Sequence, residues 1–149
     1  MRKSLNIPKT TFSNLEYVYG EILEVRVAET PQQELDHKKG REVNAKISFH
    51  HDDCYLRCRE IFDSSSMLIE YYYDWHAGNG EVLQKFHAHY HPKEASDDVR
   101  QFDPWHFHVP QNIGDKDGHR VTGIAGYTIH DVLTDQIIPH ILRIRRSGK

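Results

Sequence analysis

Apolar and polar residues alternate along much of this chain. That period belongs to a half-buried β-strand, whose successive side chains leave opposite faces. Five segments carry it, residues 21–29, 43–50, 55–62, 67–75 and 82–90. In the first, Leu23, Val25 and Val27 fall on one side and Ile22, Glu24, Arg26 and Ala28 on the other, so one face is apolar and needs a cover. His51-Asp52-Asp53, Asp63-Ser64-Ser65 and Gly78-Asn79-Gly80 lie where hairpins would reverse, which predicts mostly antiparallel pairing. Toward the C-terminus the period changes. Thr128 and Asp131 have capping-box spacing, and Val132, Leu133, Ile137, Ile138, Ile141 and Leu142 follow at helical intervals. Pro139, which lacks an N–H, is expected to kink or end this helix near Ile138. Residues 14–19 fit a strand or a short helix equally well. The pattern predicts an α+β fold: a single mostly antiparallel sheet of five to seven strands, packed by a C-terminal helix. Residues 31–41, 93–101 and 114–126 read as connections.

Composition adds few constraints. The 149 residues, 38% hydrophobic and 28% charged, suit one globular domain spanning 1–149. A net charge of −3 argues against a protein that coats DNA, yet leaves room for a local basic patch. The basic tail Arg143, Arg145, Arg146 and Lys149 reads as a solvated end. Two cysteines, Cys54 and Cys58, are too few for a disulfide framework and lack a second pair for a zinc site. With no apolar signal-peptide core and no run of about 20 apolar residues, a cytoplasmic protein without membrane contact is expected.

The candidate chemistry lies in the histidines. Five of twelve fall in two alternating clusters, His87-Ala88-His89-Tyr90-His91 and His106-Phe107-His108. On strands, His87, His89 and His91 would share one face and His106 and His108 another, so that five imidazoles converge. Imidazole titrates near neutrality, so paired histidines can divide acid and base roles without a metal. RNA cleavage needs a base for the ribose 2′-OH, an acid for the departing 5′ oxygen and a cation for phosphorus, for which Lys85, Arg59 and Arg100 are available. The alternative is metal binding, since His-x-His on a strand presents two nitrogens to zinc or another divalent transition metal. Under that reading His87 and His89 are the ligands. A third reading is a non-catalytic RNA- or protein-binding module. Among the neighbouring aromatics, inward rings are core and exposed ones can stack on bases. Alternation makes Tyr71-Tyr72-Tyr73 place at least one ring on each face. His50, His51 and His76 read as turn residues.

The order of features resembles the TumE family of toxin–antitoxin proteins over residues 43–142. The resemblance rests on Tyr71-Tyr72-Tyr73-Asp74-Trp75-His76, the Lys85-Phe86 pair, the His91-Pro92 step and, most specifically, Pro104-Trp105-His106-Phe107-His108. It implies the toxin of a type II toxin–antitoxin system, encoded beside a cognate antitoxin that often carries a helix-turn-helix, and acting on RNA. Together with the histidines it suggests a metal-independent endoribonuclease, without a cofactor and compatible with a homodimer. The expected catalytic residues are His106 and His108 first, with His91 and Lys85; the expected substrate-binding residues are Tyr73, Trp75, Tyr90, Trp105 and Arg100. Where members carry Arg and Asp in the basic-aromatic strand this chain has Lys85 and His87, and Tyr90 replaces the first of a His-His pair. The N-terminal strand and the 114–126 connection have no expected counterpart in the family.

Overall fold

The computed structural model describes residues 3–28, 41–116 and 118–146, with side chains as far as Arg143. The predicted loop 31–41, apart from Arg41, lies outside the described residues, as do the side chains of Arg145 and Arg146 and the whole of Lys149.

Seven strands form one sheet in chain order: β1 Leu23–Ala28, β2 Arg41–Phe49, β3 Asp52–Phe62, β4 Leu68–His76, β5 Val82–Ala88, β6 Trp105–Val109 and β7 His119–Thr122. Every neighbouring pair is antiparallel. The α+β expectation holds at the upper limit of its strand count. All five alternating segments are strands, whereas β7 lies in the predicted connection 114–126, because four residues between glycines are too few to display a period. Residues 14–19 resolve as helix, within α1 Phe12–Tyr19. The connection before β6 holds one short turn of helix, α2 Asp97–Arg100.

One face of the sheet is covered. Tyr71, Tyr73, Trp75, Phe86, Ala88, Ile47, Leu56 and Cys58 point into a core closed by Phe12 and Leu15 of α1 and by Ile129, Val132, Leu133, Ile137 and Ile141 of the C-terminal segment. Burying a large apolar side chain stabilises by about 1.5–3 kcal/mol, which fixes the phase of every strand. The Tyr71 hydroxyl donates to the Tyr127 carbonyl at 2.7 Å, and Trp75 meets His140 edge-on at 5.2 Å, tying helix to sheet. The fully buried Glu60 accepts from the Thr10 backbone N–H at 2.8 Å and from the Tyr73 hydroxyl, pinning the N-terminal segment.

The C-terminal helix starts with the predicted capping box, Thr128 and Asp131 bonding reciprocally around α3 Ile129–Asp131. Its course at Pro139 departs from expectation. The backbone widens into a π-helical stretch, Val132–Ile137, in which the Ile138 N–H reaches the Leu133 carbonyl, and then continues as α4 Ile138–Arg146. The helix runs past Pro139 because the wide turn ends just ahead of it, so the residue without a donor sits in the first turn of a new α-helical register. Among the described residues, no helix is long and apolar enough to cross a membrane.

Candidate functional site

The opposite face carries polar residues from every strand, and register decides which of them meet. His87 on β5 pairs with Tyr72 on β4 and with His106 on β6, while Lys85 pairs with Asp74 and with His108. Thr122 and Arg120 of β7 lie across from His106 and His108. The two histidine clusters therefore share one face instead of occupying two. Ring centroids stand 4.8 Å apart for His87 and His108, 5.1 Å for His106 and His108, 5.7 Å for His87 and His106, and 4.8 Å for His89 and His106. Gly123 helps to set this register. Its N–H donates to the Trp105 carbonyl at 3.1 Å, and a Cβ there would stand 3.0 Å from the His106 backbone nitrogen, so close that the β6 backbone would have to give way slightly.

His91 lies beyond the end of β5 but is brought in. Its backbone N–H donates to Asp103 Oδ2 at 2.8 Å and its Nδ1 pairs with Asp103 Oδ1, which leaves the ring 4.5 Å from His89 and 5.8 Å from His106. A second carboxylate holds a second imidazole, as Asp74 Oδ1 lies 2.7 Å from His87 Nε2. Two histidines of the patch are thus oriented by aspartates, the arrangement that fixes an imidazole's tautomer.

Crowding shapes the electrostatics. Burial lowers the pKa of His106 to about 3, reinforced by the neighbouring His89, His87, His108 and Arg120. Burial likewise lowers His89 to about 4, with His91 and His87 adding to it. Both are neutral at pH 7. Burial opposes ionisation of Asp74, but the hydrogen bond and charge of His87, with Lys85, outweigh it and hold the carboxyl below its usual range. His106 is fully enclosed, and among the described residues neither of its ring nitrogens, nor Nε of Arg120, finds a hydrogen-bond partner. Buried polar atoms are rarely left so without a ligand, an ion or a water to meet them.

Beyond the imidazoles this face carries further charged residues, among them Arg26, paired with Glu24 at 3.3 Å, and Arg59, paired with Glu42. A groove of about 510 Å³ runs along β1 to β4, lined by Arg26, Lys46, Arg57, Arg59, Tyr72 and Asp74 among others. The Arg59 guanidinium lies 5.3 Å from the Tyr72 ring centroid, and that ring stands 4.9 Å from His87 and 5.2 Å from His89. On the other side of the patch a second groove of about 490 Å³ is lined by Lys3, Glu70, His89, Tyr90 and His91.

Of the residues expected from sequence, His87, His89, His91, His106, His108 and Lys85 come together. His87 and His89, the expected metal pair, have centroids 6.3 Å apart; the tighter group is His87, His106 and His108. Tyr73 and Trp75 point to the covered face, into the core, and the half-buried Trp105 tilts against Tyr71 there at 6.1 Å. Tyr90 is exposed beside the second groove, with the Lys3 ammonium over its ring at 5.2 Å. Arg100 ends α2, where its guanidinium donates to the Lys93 carbonyl at 3.4 Å. Sequence reading missed Tyr72, Asp74, Asp103 and Arg120. For Asp74 a signal existed: an acid two residues after Tyr72 on an alternating strand shares its face.

The chain matches no curated protein and no solved structure. A family profile described as Toxin TumE matches residues 15–141, which extends the resemblance over residues 43–142 toward the N-terminus to include β1 and part of α1. Membership implies an antitoxin as partner. The match covers most of the chain, and the protein belongs to the TumE family, the toxin component of a toxin–antitoxin system.

Proposed function

We propose that this toxin cleaves RNA on the open face of its sheet. The observation that carries the reading is the convergence of five imidazoles on a charged, grooved surface beside an outward tyrosine. Arg26, Lys46, Arg57 and Arg59 form a track for a phosphate backbone, and Tyr72 offers a ring on which a base can stack. Lys85 and Arg120, flanking His108, are placed to meet the charge that builds on phosphorus. His91 has an aspartate behind one nitrogen, the arrangement of a general base. It takes the proton of the ribose 2′-OH as the 2′ oxygen bonds to phosphorus. The bond to the 5′ oxygen breaks, and a proton delivered from the side of His87, His106 and His108 completes the leaving group. The products are a 2′,3′-cyclic phosphate and a 5′-hydroxyl. The cognate antitoxin, in this reading a helix-turn-helix protein, blocks the activity in the cytoplasm.

Purified protein incubated with RNA tests the reading. Cleavage to cyclic-phosphate ends is expected, reduced about 10²- to 10⁴-fold in His91→Gln, with growth inhibition falling in parallel. Undiminished cleavage by a folded His106→Gln/His108→Gln double variant overturns it, as does growth inhibition without RNA cleavage.

A further inference from the structure

Acid–base chemistry leaves one feature unexplained. His106 is fully enclosed, out of reach of a substrate, and among the described residues both of its ring nitrogens lack a hydrogen-bond partner. A neutral imidazole carries one donor and one acceptor, and each buried group left unmet costs about 1–3 kcal/mol. A fold does not normally sustain that without a ligand, an ion or a water at the site.

We infer that His87, His106 and His108 hold a divalent transition-metal ion, which deepens the RNA-cleavage reading and rests on it for its role. Three observations converge. One ligand nitrogen from each residue lies within 4.8 Å of the others. They come from directly paired positions on adjacent strands, His87 opposite His106 with His108 two residues along the same face, so the backbone ladder fixes their spacing. Asp74 holds His87 through Nε2 at 2.7 Å and leaves Nδ1 to the metal, the carboxylate–histidine support common behind metal-bound imidazoles. Metal–nitrogen bonds of about 2.0–2.1 Å place tetrahedral ligand nitrogens about 3.3 Å apart, so the trio has to draw together by up to about 1.5 Å around an ion.

The donor set selects the ion. Three imidazoles and no ligating carboxylate suit zinc, cobalt, nickel or copper and do not suit magnesium or calcium, which require oxygen. Three protein ligands leave a fourth position for a water or a phosphate oxygen, as in catalytic sites. Lys85 and Arg120 flank the trio and weaken its hold on a cation, while Asp74 strengthens it. Those same cations would steady a phosphate on the open position. The ion would supply there the electrophile or acidic water that proton delivery from this side requires, while His91 remains the base.

Titration of the full-length, metal-stripped protein with Co²⁺ and Zn²⁺ tests this without reference to RNA. One equivalent per chain is expected, with the visible absorption of four-coordinate Co²⁺, displaced by Zn²⁺. His108→Gln and His87→Gln should each weaken binding at least tenfold, and Asp74→Asn about 10- to 100-fold. His51→Gln, in the exposed β2–β3 turn, should leave it unchanged. His106→Gln adds to the case only where its circular dichroism matches the parent; the rim variants carry the test otherwise. Failure to bind either ion stoichiometrically, or binding indifferent to both rim variants, overturns the metal site. RNA cleavage that persists in chelator alongside failed binding removes the metal and leaves the RNA reading standing. Stoichiometric binding in a protein that cleaves no RNA does the reverse.

Discussion

Tyr72 and Tyr73 are adjacent in the chain and lie on opposite sides of the sheet. Tyr73 is buried, stacked on Tyr71 at 4.3 Å and hydrogen-bonded to Glu60. Tyr72 lies on the open side with its edge toward His87 and an arginine over its face. The same contrast repeats on β5, where Phe86 faces the core and Lys85 and His87 face outward. One side of the sheet is a packed apolar layer closed by two helical segments, and the other is a set of titratable groups held by neighbours. A one-residue slip in any of these strands would exchange the two. Ring chemistry therefore says little about a tyrosine's task here, and strand phase says nearly everything.

The largest effect that can break this comparison is on stability. Phe86→Ala leaves a cavity under the helices and should cost about 3–5 kcal/mol, read from urea denaturation midpoints. A loss below about 1 kcal/mol would mean that the covered face is not the packed one.

Acid should act on the opposite face. His106 and His89 resist protonation until about pH 3 and about pH 4, whereas in the unfolded chain they take up protons near pH 6.5. Between those limits the unfolded state binds more protons, so stability present above pH 6.5 is lost as the pH falls through that window. In chelator, a loss on the order of 3–4 kcal/mol from pH 7 to pH 5 is expected, seen as a falling Tm. A profile that stays flat across the window would mean that the patch is not enclosed.

The smallest effect sharpens the contrast within the aromatic strand. Tyr72→Ala should change stability by less than about 1 kcal/mol while weakening single-stranded RNA about five- to tenfold in a fluorescence-anisotropy titration. Tyr73→Phe, which removes only a hydroxyl facing the core, should leave RNA affinity unchanged. Equal effects of the two on RNA would abolish the distinction between faces.

Much of this was legible before the fold. Alternation delimited β1 to β5 and required the three tyrosines to split between faces, and the Thr128–Asp131 spacing marked the helix start. The assignment of faces was not legible, because Tyr-Tyr-Tyr satisfies the pattern in either phase; the choice is made by residues on neighbouring strands, such as Cys58 across from Tyr73 and Arg59 across from Tyr72. Alternation pointed to converging imidazoles, but the pairing of His87 with His106 was hidden for a similar reason. The connection between β5 and β6 spans 16 residues, and only its path, with the His89 N–H bonded to the Pro104 carbonyl at 3.0 Å, sets the register that makes two clusters one. Asp103 carried no periodic signal, since it acts from the end of that connection.

The order of the strands has a consequence for how the toxin comes into being. Each strand pairs with its neighbours in sequence, so the sheet can grow strand by strand through local closures, the economical route for a β-rich chain. A chain emerging from the ribosome can thus build β1 to β5 while its second histidine cluster is still unmade. The patch joins at β6, and the covering helix, the last element, seals the core behind it. A truncated copy ending before Trp105 carries His87, His89 and His91 but neither His106 nor His108.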